Sequence, residues 1–305
     1  MTAAAMGFVG VDTANSSIMQ VFPLWADHLG LSTRRLRGHD VPLDADDGVY
    51  RDLVATMRDD ESELGALVTT HKVRLFQAAG DLFDELDDFS RQCGEISSIS
   101  KRDGRLLGGA KDPLTAGLAL REMLPPDWFS TGGGEAVCLG SGGAGTAITS
   151  YLARTDDPPS RLTVTDVSPD RLAHVRQVHE RAGLDPGRFR YVLTDSAQQA
   201  GELVSRAAPR SLVVNATGLG KDRPGSPVDP ATRFPRGSVV WEINYRGSLE
   251  FLELAQAQRP GRGLQVHDGR RYFVHGWTHA VAEVFDIDLD ERTVEELAAL
   301  AETVR

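Results

Sequence analysis

The chain has 305 residues, 41% of them hydrophobic and 25% charged, enough for two domains with ordinary apolar cores. Its formal net charge of −11 argues against a phosphate-tracking nucleic-acid binder, although a few local cations would suffice for a small anionic substrate. The longest apolar runs fall far short of the ~20 residues that span a bilayer, so no membrane partner is expected. In chain order, 7–11 reads as a short buried strand, and 16–29 as a helix closed by Gly30. Further strands are expected at 36–43 and 65–69, with an acidic helical segment at 49–58 between them. The periodicity predicts a helix over 76–86, with the acidic run Asp81–Asp88 as its solvated face. Strands at 97–100 and 105–107 bracket Asp103-Gly104, a strong hairpin turn signal.

Composition shifts at Pro125-Pro126 and at Thr131–Gly134, which places a domain junction between Gly117 and Gly134. Beyond it the reading is regular: strand 136–139, helix 144–154, strand 162–165, helix 169–182 and strand 189–193. Helix 196–206 and strands 211–215 and 238–243 follow. A last helix runs from about Glu291 to Arg305. The fold class is therefore α/β: an N-terminal α/β domain plus a doubly wound, Rossmann-like domain. Cys93 and Cys138 show no ligand spacing and read as reduced and structural. With no basic n-region at the start, that points to the cytoplasm. No metal site is expected, since His275 and His279 lack a nearby third ligand.

The turn Gly140-Ser-Gly142-Gly143-Ala144-Gly145 follows an apolar strand and opens a helix. Its spaced glycines suit a tight turn, close approach of a pyrophosphate and close helix–strand packing, and the helix start offers N–H groups to the anion. Asp166 ends the next strand 21 positions beyond Gly145, the expected place for a carboxylate on the ribose diol. Together these call for NAD. Asn215-Ala216-Thr217-Gly-Leu219-Gly220 follows a later strand, at the end where an open α/β sheet binds its ligand. Lysine is scarce, at four of 33 basic residues: Lys72, Lys101, Lys111 and Lys221. Unlike arginine, lysine can give up a proton where its surroundings depress its pKa.

Seven stretches occur in an ordered series: Asn15-Ser-Ser17, Val68-Thr-Thr-His-Lys72, Gly108-Gly-Ala-Lys-Asp112 with Gly117, and the glycine turn. Val214-Asn-Ala-Thr217 with Leu219-Gly220, Trp241-Glu-Ile-Asn-Tyr245 and Val274-His275 complete it. In these the chain resembles the shikimate/quinate dehydrogenases over nearly its whole length. The resemblance implies a substrate domain (1–120), a dinucleotide domain (121–272) and a C-terminal helical segment (273–305) folding back on the first. It makes Lys72 the catalytic lysine and Asp112 its carboxylate partner. It assigns Asn15, Ser17, Thr69, Ser97, Tyr245 and Trp277 to the substrate, and adds Ile243 to the cofactor residues. Departures are equally specific. Leu67, Ser97-Ser98 and Ala110-Lys111 stand where the family places amide-bearing pairs, and the late glutamine is replaced by Gly276, Trp277 or His279. The chemistry is kept while the groups that read the substrate are altered.

Oxidising a secondary alcohol with nicotinamide needs a base whose pKa lies near working pH. A half-buried lysine reaches that range because desolvation disfavours its charge. Asp112 precedes Pro113 and also suits a helix cap. Lys111 could bind a substrate carboxylate or point to solvent. The expected function is an NAD-dependent dehydrogenase for a small cyclic polyhydroxy or amino-hydroxy acid, in specialised metabolism. A non-catalytic sensor of the same fold and a methylene-folate-type dehydrogenase are the alternatives. Oligomeric state is open between monomer and homodimer.

Overall fold

The computed structural model describes residues 3–132, 134–221 and 223–304, so the expected helix end at Arg305 lies outside the described residues. The chain forms two units: residues up to Lys111 together with those from Val274, and Asp112–Phe273 between them. The division falls earlier than the expected junction, because the helix Asp112–Met123 packs on the dinucleotide unit, with Gly117 against the ring of Tyr151.

The first unit opens with β1 (Ala5–Gly10), α1 (Ile18–Leu29), β2 (Leu36–Asp40), α2 (Asp47–Asp59), β3 (Glu63–Val68) and α3 (Lys72–Ala79). β4 (Glu85–Leu86), α4 (Asp88–Cys93), β5 (Ser98–Arg102) and β6 (Arg105–Gly109) follow. The sheet order is β2-β1-β3-β5-β6-β4, parallel across β1, β2 and β3, with β5 antiparallel to both β3 and β6. Asp103 and Gly104 both take positive φ in the expected hairpin turn.

The helix expected over 76–86 ends at Ala79 instead. A 3-10 turn (Gly80–Leu82), β4 and the start of α4 occupy the acidic run, which is no solvated helix face. The reason is local. Asp84 accepts a bond from the Leu106 N–H, and Asp87 accepts bonds from Ser90 and Ala110, so these carboxylates fold the backbone around themselves.

The second unit runs α5 (Asp112–Met123), α6 (Trp128–Gly132), β7 (Ala136–Leu139), α7 (Gly143–Leu152), β8 (Leu162–Asp166) and α8 (Pro169–Arg181). It continues with β9 (Phe189–Leu193), α9 (Ala197–Arg206), β10 (Leu212–Asn215), β11 (Val239–Glu242), α10 (Glu250–Arg262) and β12 (Gln265–His267). All pairings are parallel, in the order β12-β11-β10-β7-β8-β9. Side chains of the central strands alternate between two cores. Ala136, Cys138, Val214 and Trp241 face one core with Ile148, while Val137, Leu139, Val213 and Val240 face another with Val204 and Phe251. Covering both faces is what makes these strands read as unbroken apolar runs.

α11 (Arg270–Phe285) and α12 (Glu291–Glu302) complete the chain. α12 is tied to α1 by the buried Trp25, whose indole N–H donates to the Leu297 carbonyl at 2.7 Å. Among the described residues no helix is long and apolar enough to cross a membrane, and no cluster of three or more His, Cys, Asp or Glu is placed to hold a metal.

Candidate functional site

In the second unit the chain leaves β7 toward β8 and β9 and returns to pair β10 on its other side. That reversal opens a crevice at the carboxyl ends of β7 and β10, and the glycine turn lies there. Gly140 has φ +99°, and a Cβ on it would meet the Ala216 carbonyl oxygen at 2.7 Å. One on Gly145 would clash with the Gly140 carbonyl oxygen. Gly142 differs: its Cβ direction is open, and Gly142, Gly143 and Ala144 are half-buried where the other turn residues are buried. This is the shape a pyrophosphate needs, with the first N–H groups of α7 facing the same space.

Asp166, 6% exposed, also builds the turn. One carboxylate oxygen accepts from the Ser141 N–H (2.8 Å) and hydroxyl (2.9 Å), and the other from the Ser168 N–H (3.0 Å). A carboxylate offers about four acceptor positions, so one remains for a ribose hydroxyl. Val167 beside it is 73% exposed, Ser168 caps α8, and Arg171 is exposed on that helix. Burial, with the Asp166 charge added, pushes the Cys138 thiol up to about 12, so it stays protonated.

The Asn215 amide donates to Glu242 at 2.6 Å, and its oxygen accepts from the Thr217 N–H and hydroxyl. Ala216, Thr217, Leu219 and Ile243 are half-buried at this edge, and Tyr245 rests on Phe273 at 4.3 Å between ring centroids. Ser141, Glu242 and Asn244 carry no expected role, although Glu242 and Asn244 lie in the stretch Trp241–Tyr245 and Glu242 ends the apolar run Val239-Val-Trp.

In the first unit, the antiparallel setting of β5 brings its start to the same sheet edge as the ends of β1, β3 and β6. Leu67 pairs with Ser98, and Ser98 with Gly109. Asn15, Ser17, Thr69, Lys72, Ser97 and Lys111 all follow or precede strands at that edge. The Asn15 amide donates to Asp12, and Thr69 donates to the Val9 carbonyl. The Ser17 hydroxyl is buried and has no hydrogen-bond partner among the described residues. Lys72 is half-buried as the first residue of α3, and its carbonyl accepts from the Ile96 N–H. Before it, His71 is buried and bonded through Nδ1 to the Tyr50 hydroxyl at 2.9 Å, and burial lowers its pKa.

Of the two alternatives for Lys111, pointing to solvent does not hold: its ammonium is 2.9 Å from Glu283 and 3.8 Å from Asp87. Burial works against the Glu283 charge, but Lys111, Arg102 and Ser100 together hold it below the usual carboxylate range. Trp277 is 5% exposed and packed edge-on against Phe8 at 4.9 Å. Ser97 is buried, donating to the Gly109 carbonyl while its oxygen takes the Lys111 N–H. His279 is turned back onto the His275 carbonyl, and Gly276 is half-buried with open space where a Cβ would stand. Asp112 is 5% exposed in the first turn of α5.

No protein-family profile matches the chain. It is 30% identical over 244 residues to a shikimate dehydrogenase (NADP(+)) of Methylobacterium radiotolerans, covering 78% of this chain and 79% of that one. The chain belongs to the shikimate dehydrogenase family. A second shikimate dehydrogenase (NADP(+)), from Symbiobacterium thermophilum, is 31% identical over 70% of this chain and 67% of its own. The match to the Streptococcus gordonii enzyme of that name, at 31% identity, spans only 60% of that relative's length. Among solved structures, the Thermus thermophilus shikimate 5-dehydrogenase in complex with NADP(H) and shikimate has a TM-score of 0.71 at 24% identity. The alignment covers 98% of this chain and 99% of that one. A Corynebacterium glutamicum quinate dehydrogenase in complex with NAD reaches 0.73 at 19% identity, covering 99% of each. These structures share the fold of this shikimate dehydrogenase relative.

Proposed function

We propose that this chain is an NAD-dependent dehydrogenase that moves a hydride between nicotinamide and a secondary alcohol or ketone of a small cyclic polyhydroxy or amino-hydroxy acid. The observation that carries this reading is the crevice at the β7–β10 reversal, where the Cβ direction of Gly142 is open and Asp166 keeps one acceptor position. Nicotinamide, when bound, accepts or returns the hydride. Lys72 takes the hydroxyl proton in the oxidation, a role suited to a half-buried lysine at a helix start. The family resemblance gives Asp112 as its carboxylate partner.

Asn15, the unpartnered Ser17 hydroxyl, Thr69 and Tyr245 read the substrate. Shikimate itself is disfavoured. Leu67 and Ala110 are buried and apolar where amides would stand, and Ser97 is occupied by Gly109 and Lys111. NAD is favoured over NADP because the exposed position beside Asp166 carries valine instead of a cation. Screening cyclic hydroxy acids with each nicotinamide, followed by absorbance of the reduced cofactor, tests the reading. Absence of turnover with every compound and both cofactors, with both cofactors bound, would favour the sensor instead.

A further inference from the structure

Glu242 is fully buried at the end of β11, yet among the described residues no cation pairs with it. Its surroundings consist of donors. One carboxylate oxygen accepts from the Asn244 N–H (2.9 Å) and the Asn244 side-chain amide (2.7 Å), and the other from the Asn215 amide (2.6 Å). Neither asparagine can turn over at no cost. The Asn215 oxygen is held by the Thr217 N–H and hydroxyl, and the Asn244 amide also donates to the Thr217 and Leu219 carbonyls.

The network reaches the glycine turn through contact. Thr217, bonded to Asn215 at 2.6 Å, places its methyl 3.0 Å from where a Cβ of Gly140 would stand, and the Ala216 carbonyl lies beside the same point. On its other side the Ile243–Asn244 backbone is packed against Gly269, and the Gly269 N–H donates to the Asn244 carbonyl. The loop therefore has one well-packed position, and Glu242 holds its centre.

We propose that Glu242 is a positioning residue for the dinucleotide crevice: it holds the Asn215–Leu219 loop against the glycine turn, and does so only as the carboxylate. A proton on the oxygen facing Asn215 would set donor against donor, break that bond and release Thr217 from its register. This inference rests on the dinucleotide reading above and adds its regulation by pH.

Burial pushes the Glu242 pKa up to about 7, against the lowering by the Asn244 N–H and the two amides. Titratable groups on the elements packed beside it are His267 on β12 with Asp268 after it, Glu250, Glu253, Arg259 and Arg262 on α10, and Tyr245 and Arg246 in the following loop; β10 carries none. Among the described residues, none of these adds a charge to the Glu242 equilibrium.

If only the ionised form binds well, the competent fraction falls from about nine-tenths at pH 8 to about one-tenth at pH 6. Apparent Kd then rises roughly tenfold. Calorimetric titration with NAD between pH 6 and pH 8 measures this, NAD being chosen because the extra phosphate of NADP titrates in the same range. Glu242→Gln is expected to bind weakly at both pH values with a flat profile, and Glu242→Asp to recover affinity and the acid loss together. A change in Kd below twofold for the unaltered protein overturns the proposal. So does a folded Glu242→Gln with unaltered affinity and profile. The unaltered protein carries the test even if a variant fails to fold. A merely structural Glu242 would lower variant melting temperatures and leave the unaltered protein's profile flat. Absence of binding by NAD and NADP at pH 8 would sink the dinucleotide reading and this inference with it. Binding at pH 8 with no acid loss sinks the inference alone.

Discussion

Val167→Arg tests the feature proposed to separate the two nicotinamide cofactors. Val167 is 73% exposed, directly after Asp166, so a guanidinium there extends into water without disturbing a packed group. A unit charge 4 Å from a phosphate is worth about 1 kcal/mol at the dielectric of water and about 4 kcal/mol near ε of 20. At a position this exposed the lower figure governs. Salt screening offsets part of the phosphate's second charge. The expected gain is about fivefold to tenfold in kcat/KM for NADP, with NAD unchanged because it carries no charge at that hydroxyl. In the unaltered protein NAD should be preferred, since Asp166 repels the 2′-phosphate while its last acceptor position takes a ribose hydroxyl. Arg171 is the contrary charge, and Arg171→Ala should alter neither cofactor by more than twofold. Steady-state kinetics with both cofactors decide the matter. If the unaltered protein uses NADP as well as NAD, and Arg171→Ala abolishes that use, then Arg171 faces the ribose and the reasoning from Asp166 and Val167 is wrong.

Lys72→Met should lower kcat by roughly 10²–10⁴ with cofactor affinity barely changed, and wild-type turnover would remove Lys72 as the base. For shikimate, kcat/KM should be poor, since each missing hydrogen-bond partner costs about 1–3 kcal/mol where polar groups stay buried. A near diffusion-limited value would show that other groups replace the amides. Free-protein stability measured in urea should separate two buried titrations. His179, pushed down to about 4 by burial and the Arg154 charge, destabilises the fold as pH falls through 6.5 toward 4, because the unfolded chain takes the proton first. Glu242, raised to about 7, acts oppositely: between about 7 and 4.5 the folded chain binds the extra proton, so stability rises on acidification. Each is worth up to about 3 kcal/mol at 1.36 kcal/mol per pKa unit, so Glu242→Gln should lose that much more stability than the parent between pH 7 and 4.5. Equal pH slopes for the two proteins would contradict the assignment.

The second sheet was readable because strands buried on both faces leave short, unbroken apolar runs, and the reading needed only their order. What it missed there has little apolar signature. α10 buries only Phe251 and Ala255 and contains Pro260, and β12 is three residues long and only partly buried. In the first unit the acidic run misled because aspartates were counted as solvated charge. Asp84 and Asp87 are backbone acceptors whose partners lie on β6 and just after it, some twenty residues away.

Site residues follow the same division between local and distant causes. Residues of the glycine turn could be placed from spacing alone, since backbone geometry at Gly140 and Gly145 depends on near neighbours. The state of Lys111 could not, because Glu283 is 172 positions away and nothing near Lys111 announces it. Pairing with Glu283 has a consequence for substrate choice. A cation already neutralised inside its own unit gives little to a substrate carboxylate, so under the proposed function recognition of an acid group falls to neutral donors at the same sheet edge. The Ser17 hydroxyl, which has no hydrogen-bond partner among the described residues, is one candidate. Hydrogen bonds from such neutral groups are worth about 1 kcal/mol rather than the 1.5–3 kcal/mol of a charged partner. The site should therefore distinguish acids from their amides only weakly, and select its substrate by ring hydroxyls and shape.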